Sequence, residues 1–375
     1  MRALSLFSGI GGLDLAAERV GIETVFFCEI EPFAVQVLNK RFHGVPVFND
    51  VRGVTADAVG AVDIIHGGFP CQDLSVAGKQ AGLEGERSGL WFEMLRVIHE
   101  CRPRWVLAEN VRGAVNLALD TVQSGLEAEG YKVWPHLIPA SAVGAPHQRE
   151  RLFVVACRRD VADSHEEGLQ GGQVAGSVRK VREESCDELP GRGCEDSRKL
   201  WPTPRANKIG GSTSEGYGLC LQEAVNGGRD TKLWRTPDAH CDRGPSLEER
   251  MKWKQENKMP VSINDQVQHE GKRKGQLNPD WVEALMGFPV GWTNLDCEYP
   301  YLSPWPALMG QDQHTMEPPR TTTASKNRAK RLKALGNAVV PAQAYPLFRA
   351  IAWMDNIIKG GSDGRQACDR TCKDD

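Results

Sequence analysis

The chain has 375 residues, with 46 Lys and Arg against 49 Asp and Glu, a formal net charge of −3 and a hydrophobic content of 40%. This composition supports one large or two modest globular domains and excludes a wholly disordered chain, a collagen and a coiled coil. No apolar run reaches the roughly 18 residues of a membrane span, so no membrane association is expected. The opening Met1-Arg2-Ala3-Leu4-Ser5-Leu6-Phe7 runs into a Gly-rich turn and reads as a first strand, not a signal peptide. The 11 cysteines are scattered and odd in number, which suits reduced thiols in a cytoplasmic protein. Cys186 with Cys194, and Cys368 with Cys372, invite a zinc reading, but the spacings are loose, no compact CxxC pair occurs, and no metal is expected.

Residues 1–157 alternate short apolar runs with helical periods. Ala3–Phe7, Thr24–Cys28, Val62–His66 and Trp105–Ala108 read as buried strands. Leu13–Val20, Pro32–Phe42, Leu90–Glu100 and Val115–Glu129 read as the helices between them, the second opened by its proline. Tyr131–Ala140 and Leu152–Ala156 are strand-like. Strands separated by helices imply an α/β fold with a mostly parallel sheet covered on both faces.

Beyond residue 158 the character changes. Asp160–Lys199 is polar and aperiodic, and reads as a long loop or flexible insertion. Leu200-Trp201-Pro202-Thr203-Pro204 is echoed by Leu233-Trp234-Arg235-Thr236-Pro237, as two similar hairpins or loops of a second domain would be. Order returns at Leu277–Thr293. Lys326–Ile358 is helical, with interruptions expected at Gly336-Asn337 and Pro341, and 359–375 reads as a disordered tail. Basic clusters at Lys272-Arg273-Lys274 and across Arg328–Lys333 suit nucleic acid.

Four motifs carry chemistry. Leu6-Phe7-Ser8-Gly9-Ile10-Gly11-Gly12 follows the first strand, where glycines let backbone approach a ligand, although such a turn also serves structure alone. Glu29 ends the second strand, where a carboxylate can accept ribose hydroxyls, and Asp50 could take an adenine amino group. No P-loop sequence is present. Gly67-Gly68-Phe69-Pro70-Cys71-Gln72 places a thiol after the third strand, as a nucleophile or as a small buried residue. Glu109, in Ala108-Glu109-Asn110-Val111, ends the fourth strand on the same sheet edge, where a closed pocket would hold a proton on it. Arg149 and Arg151, read as i and i+2 of an extended segment, would point the same way and grip a phosphate and a base carbonyl, or else brace a strand edge.

Taken in order, these segments closely resemble the DNA (cytosine-5)-methyltransferase family over about residues 1–157 and 277–350. Leu277–Thr293 and Leu335-Gly336-Asn337-Ala338-Val339 belong to the match. The resemblance implies a Rossmann-like catalytic domain binding S-adenosyl-L-methionine, with S-adenosyl-L-homocysteine as product, and a smaller, irregular target-recognition domain. The catalytic domain would be discontinuous: residues 1–157, then 158–325 as the small domain with its polar insertion at 160–199, then 326–358 returning. Phe7, Gly9, Gly11, Glu29, Ile30, Asp50, Pro70, Asn337, Ala338 and Val339 would form the cofactor site. Cys71 would be the nucleophile, Glu109 would contact N3 and N4 of cytosine, Arg151 its O2, and Arg149 would hold the site and the DNA backbone. Gln72, Ser75, Lys272, Arg273 and Lys274 would face the DNA.

Three departures stand out, one of them a middle region that shares no pattern readable as a specificity code. Ser5 replaces a common Asp, which is expected to alter a hydrogen bond beside the cofactor, and His147 replaces a common Gln. The expected activity is base flipping in double-stranded DNA, attack on C6, and methyl transfer to C5. The expected partner is duplex DNA alone, with the chain a monomer, as in restriction-modification enzymes or their phage-borne and solitary counterparts. The alternatives are an RNA cytosine-5 methyltransferase of the same fold, or a variant transferring a group larger than methyl.

Overall fold

The computed structural model describes residues 1–70, 89–115, 118–159, 233–257, 259, 261–269 and 275–359. These residues all belong to one compact unit. In chain order, β1 (Arg2–Leu6), α1 (Gly12–Glu18), β2 (Glu23–Cys28), α2 (Pro32–Arg41), β3 (Val47–Phe48), α3 (Ala56–Val59) and β4 (Ile64–Gly68) come first. They are followed by α4 (Gly89–Cys101), β5 (Trp105–Val111), α5 (Leu119–Ala128), β6 (Tyr131–Ile138) and β7 (Arg151–Arg158). The remainder forms α6 (Glu248–Glu256), α7 (Ile263–His269), β8 (Gln276–Leu277), α8 (Pro279–Leu285), β9 (Thr321–Thr322), α9 (Arg328–Asn337) and α10 (Pro341–Ile358).

The main sheet has the order β3-β2-β1-β4-β5-β7-β6. β1 to β5 run parallel, and β7 is antiparallel to both of its neighbours. Strand order reverses between β1 and β4, so a crevice opens there at the carboxyl ends of the parallel strands. Because β7 runs the other way, its first residue, Arg151, lies opposite Val111 at the same edge.

The strands alternate between two cores, as period 2 requires. Leu4, Leu6, Val106, Ala108, Val154 and Ala156 pack with Trp91, Met94 and Ile98 of α4. Ala3, Trp105, Leu107, Phe153 and Val155 face the other way, toward Ala16 and Ala17 of α1 and Ala344, Phe348 and Ile351 of α10. Both α2 and α10 start with a proline at N1, where a missing N–H costs nothing. Gly336 and Asn337, expected to interrupt the helix, are its last two residues, and the break falls at 338–340, where Ala338 and Val340 are extended.

A third core joins α2, α8 and α9 with Trp234, Trp281, Phe288 and Trp292. The segment 233–237 runs beside 146–149: Trp234 bridges His147, and its amide donates to the Pro146 carbonyl at 2.9 Å. Its sequence echo at 200–204 lies outside the described residues, as do the polar insertion, the four cysteines weighed for zinc, and the tail from 360.

Candidate active site

A cavity of about 800 Å³ opens at the carboxyl edge of the sheet. Phe7 and Gly9 reach it from the end of β1, Glu29 and Ile30 from β2, Asp50 from β3, Phe69 and Pro70 from β4, and Glu109 from β5. Arg151 enters from β7, and Asn337 and Ala338 close the far side. The backbone bends sharply to do this: Phe7 and Gly9 both take the left-handed conformation, with φ of 53° and 56°. For Phe7 that conformation carries a cost of about 1–2 kcal/mol, held in place by the surrounding sheet.

At one end the wall suits an adenosine group. The Glu29 carboxylate accepts the Gly9 amide at 2.7 Å and the Glu31 amide at 2.8 Å, one on each oxygen. Each oxygen keeps a second acceptor site, so an oriented carboxylate is left for a ribose diol. Ile30 is 77% exposed, an apolar face with no protein cover. Asp50 accepts the Arg52 amide at 3.0 Å and still lines the cavity. These groups fit the diol, base plane and amino group of an adenosine cofactor. Cys28 lies beneath them, its thiol pushed up to about 12 by burial and by the Glu29 and Asp50 carboxylates.

At the other end Glu109 meets Arg151, with Nε 2.8 Å from Oε1. A Cβ on Gly68 would sit 2.7 Å from Glu109 Oε2, so only glycine leaves this carboxyl its place. Burial raises the Glu109 pKa, and Arg151 and Arg149 oppose that rise. A carboxyl so placed can hold a proton while aimed at a ligand.

The structure corrects the reading of Arg149. It has φ of 30°, so 149–151 is not extended and β7 starts only at Arg151. Arg149 is 3% exposed. The guanidinium donates to the carbonyls of Pro237 at 2.7 Å, Gly336 at 2.9 Å, and Ala338. Arg149 therefore clasps the segment that carries Asn337. Burial lowers its pKa well below the usual arginine range.

Gly11 and Val339 support the cavity without lining it. A Cβ on Gly11, whose φ is 79°, would strike the Phe42 ring at 2.6 Å. Val339 packs under Gly12, where an added Cβ would meet it at 2.9 Å. Ser5 donates to Asp14 at 3.1 Å, and Thr24 does so at 2.8 Å, so α1 supplies a buried carboxylate beneath the glycine turn. His147 is buried with Nε2 3.0 Å from the Leu285 carbonyl, and burial pushes its pKa down to about 3. Cys71, Gln72, Ser75, Lys272, Arg273 and Lys274 lie outside the described residues.

Sequence reasoning missed two contributors. Lys330, Lys333 and Ala334 line the cavity with Asn337, at the i, i+3, i+4, i+7 spacing of one helix face, which was legible in principle. The basic run 328–333 splits instead of forming one patch. Arg328 donates to the Leu277 carbonyl at 3.1 Å, and Arg331 to Thr293 and Glu283 at 2.9 Å each. Asn110 was the second omission. It joins β5 to Phe69 at 3.1 Å.

The wall formed by Glu29, Ile30 and Asp50 and the Glu109–Arg151 pair thus share one cavity at one edge of the sheet. Residues 1–296 match the family described as C-5 cytosine-specific DNA methylase, and the chain belongs to that family. It is 38% identical over 164 residues to the type II methyltransferase M2.BsuMI of Bacillus subtilis, covering 42% of each chain. It is 32% identical over 165 residues to the type II methyltransferase M.HhaI of Haemophilus parahaemolyticus, covering 43% of this chain and 50% of that one. The matches thus span about half or less of these relatives. The crystal structure of Spodoptera frugiperda DNMT2 shares the fold, with a TM-score of 0.52 at 17% identity, covering 93% of this chain and 98% of that one.

Proposed function

We propose that the protein is a DNA (cytosine-5)-methyltransferase that uses S-adenosyl-L-methionine on a cytosine swung out of duplex DNA. The observation that carries this reading is the Glu109–Arg151 pair, 2.8 Å apart in the same cavity as Glu29, Ile30 and Asp50. S-adenosyl-L-methionine, when bound, supplies an electrophilic methyl group on its sulfonium.

The chain's own residues do the rest. C5 of cytosine is a poor nucleophile, and attack by the Cys71 thiolate on C6 turns the ring into an enamine. Glu109, its pKa raised by burial, gives a proton or hydrogen bond to N3 as charge develops there. Arg151 donates to O2 and holds Glu109 in line. Loss of the C5 proton and departure of Cys71 restore the aromatic ring. Glu29 takes the ribose hydroxyls, Ile30 covers the adenine and Asp50 takes its amino group. Asn337 and Ala338 close the cavity through the Arg149 clasp. Gln72, Ser75 and Lys272–Lys274 are assigned to the DNA.

The proposed catalytic domain consists of 1–157 and 326–358, with 158–325 as the target-recognition part. The proposed setting is the cytoplasm of a bacterial or phage-infected cell, in keeping with relatives from Bacillus subtilis and from Bacillus phage SPR. No described helix is long and apolar enough to cross a membrane. The test is transfer of tritiated methyl to duplex DNA and to tRNA, side by side. Incorporation into DNA supports the reading, and incorporation into tRNA alone overturns it.

A further inference from the structure

The ends of β4 and β5 are joined by more than their backbones. The two strands pair in parallel register up to Gly68 opposite Glu109. After that rung the β4 chain turns into Phe69-Pro70, which forms one wall of the cavity. At this point the Asn110 side chain takes the place of the next rung. Its Nδ2 donates to the Phe69 carbonyl at 3.1 Å, and its Oδ1 accepts the Val111 amide at 2.8 Å.

Both ends of the carboxamide are used, and the two partners fix its orientation: an amide N–H needs the oxygen, and a carbonyl needs the nitrogen. The side chain is buried, so neither bond has ready replacement by water. A carboxamide carries the same donor and acceptor as one peptide group. It can therefore extend a ladder by one step after the partner strand has left. Pro70 follows directly, has no N–H of its own and holds φ near −65°. A fixed Phe69 peptide thus passes a fixed direction through Pro70.

We infer that Asn110 is a positioning residue for the reaction: it sets the spacing between the Phe69–Pro70 wall and the Glu109 carboxyl, the slot into which the flat base fits. Phe69 is itself braced by Trp91 of α4, with ring centroids 5.0 Å apart. The wall is therefore held from behind by packing and from the side by Asn110. The inference deepens the proposed function and rests on its reading of Glu109 and Cys71.

Asn110→Asp is the discriminating variant. It keeps the shape and the acceptor for Val111, replaces the donor aimed at Phe69 by an oxygen and adds a carboxylate charge, for which Asn110→Ala is the uncharged control. The full chain is compared with the variant in three measurements: S-adenosyl-L-homocysteine binding by calorimetry, steady-state methyl transfer, and formation of a denaturant-stable adduct with duplex DNA containing 5-fluorocytosine. The expected result is a fall of about 10²-fold in kcat and in adduct rate, the scale of an ångström-level misplacement. The homocysteine Kd and the KM for DNA are expected to move less than about threefold.

Asn110→Ala is measured beside it and is expected to lose kcat in the same way. An unchanged adduct rate in Asn110→Asp overturns the inference. A joint loss of cofactor binding, melting temperature and adduct in both variants also overturns it, because that is the pattern of a purely structural asparagine. Absence of any adduct from the unmodified protein overturns the reading of Cys71 instead, which separates the two failures.

Discussion

The Arg149 guanidinium reaches across the fold to the Gly336 carbonyl at 2.9 Å, joining the approach to β7 to a segment nearly 200 positions later in the chain. The same group holds Pro237 and Ala338. Its terminal nitrogens are used by fixed partners, as a charge buried this deeply requires, while its Nε has no hydrogen-bond partner among the described residues. Here the partners are the carbonyls flanking Asn337, so the clasp builds one wall of the cavity. Arg149→Ala leaves three carbonyls without this donor, at about 1–3 kcal/mol for each group left unsatisfied. With relaxation, the expected loss is about 3 kcal/mol in urea unfolding. Weaker S-adenosyl-L-homocysteine binding by calorimetry should accompany it. Arg149→Lys should recover only part of both, since an ammonium lacks the planar fork.

Gly68→Ala tests the other wall. The added Cβ would lie 2.7 Å from Glu109 Oε2, the far end of that side chain. The carboxyl must move, and its contact with Arg151 is expected to be lost. Methyl transfer should fall about 10²-fold in kcat. Cofactor affinity, which the proposed function assigns to Glu29 and Ile30, should stay within about threefold.

Glu109 also makes a pH prediction. Burial raises its pKa in the folded chain, more than Arg151 and Arg149 lower it. The folded state then binds the proton more tightly than the unfolded state. The resulting stability is fully present below the unfolded carboxyl pKa and is lost as pH rises through the folded value. Glu109→Gln removes that titration. Denaturant unfolding of both proteins from pH 4 to 9 should show the wild type losing stability relative to the variant toward high pH. A gap that widens toward low pH would contradict the sign.

Much of this site was legible because it depends on local patterns. The alternation of apolar runs fixes β1, β4 and β5, and a residue directly after such a strand must lie at the carboxyl edge. Glu29, Pro70 and Glu109 could be placed that way. Arg149 could not, because spacing of i and i+2 gives a shared direction only in extended backbone, and its φ of 30° breaks the pattern. The run 328–333 divides between two faces for a related reason. Charge along a sequence says nothing of which helix face is buried, and Arg328 and Arg331 face inward while Lys330 and Lys333 face the cavity. Asn110 was invisible as a tether because its partner at Phe69 is 41 positions away.

Ile30 offers the cleanest separation of ligand binding from folding. It is 77% exposed, so it contributes little to the core. Its position beside Glu29, whose carboxylate is held by the Gly9 and Glu31 amides, leaves its apolar face as cover for a planar base. Trimming it to alanine should leave the thermal midpoint unchanged within about 1–2 °C. Affinity for S-adenosyl-L-homocysteine should fall by about 5- to 30-fold, the worth of the buried methyl and methylene groups lost from one side of the base. Calorimetric titration beside a melting curve reads both quantities. A lowered midpoint with unchanged affinity would mean that Ile30 serves the fold and that the adenine lies elsewhere in the cavity.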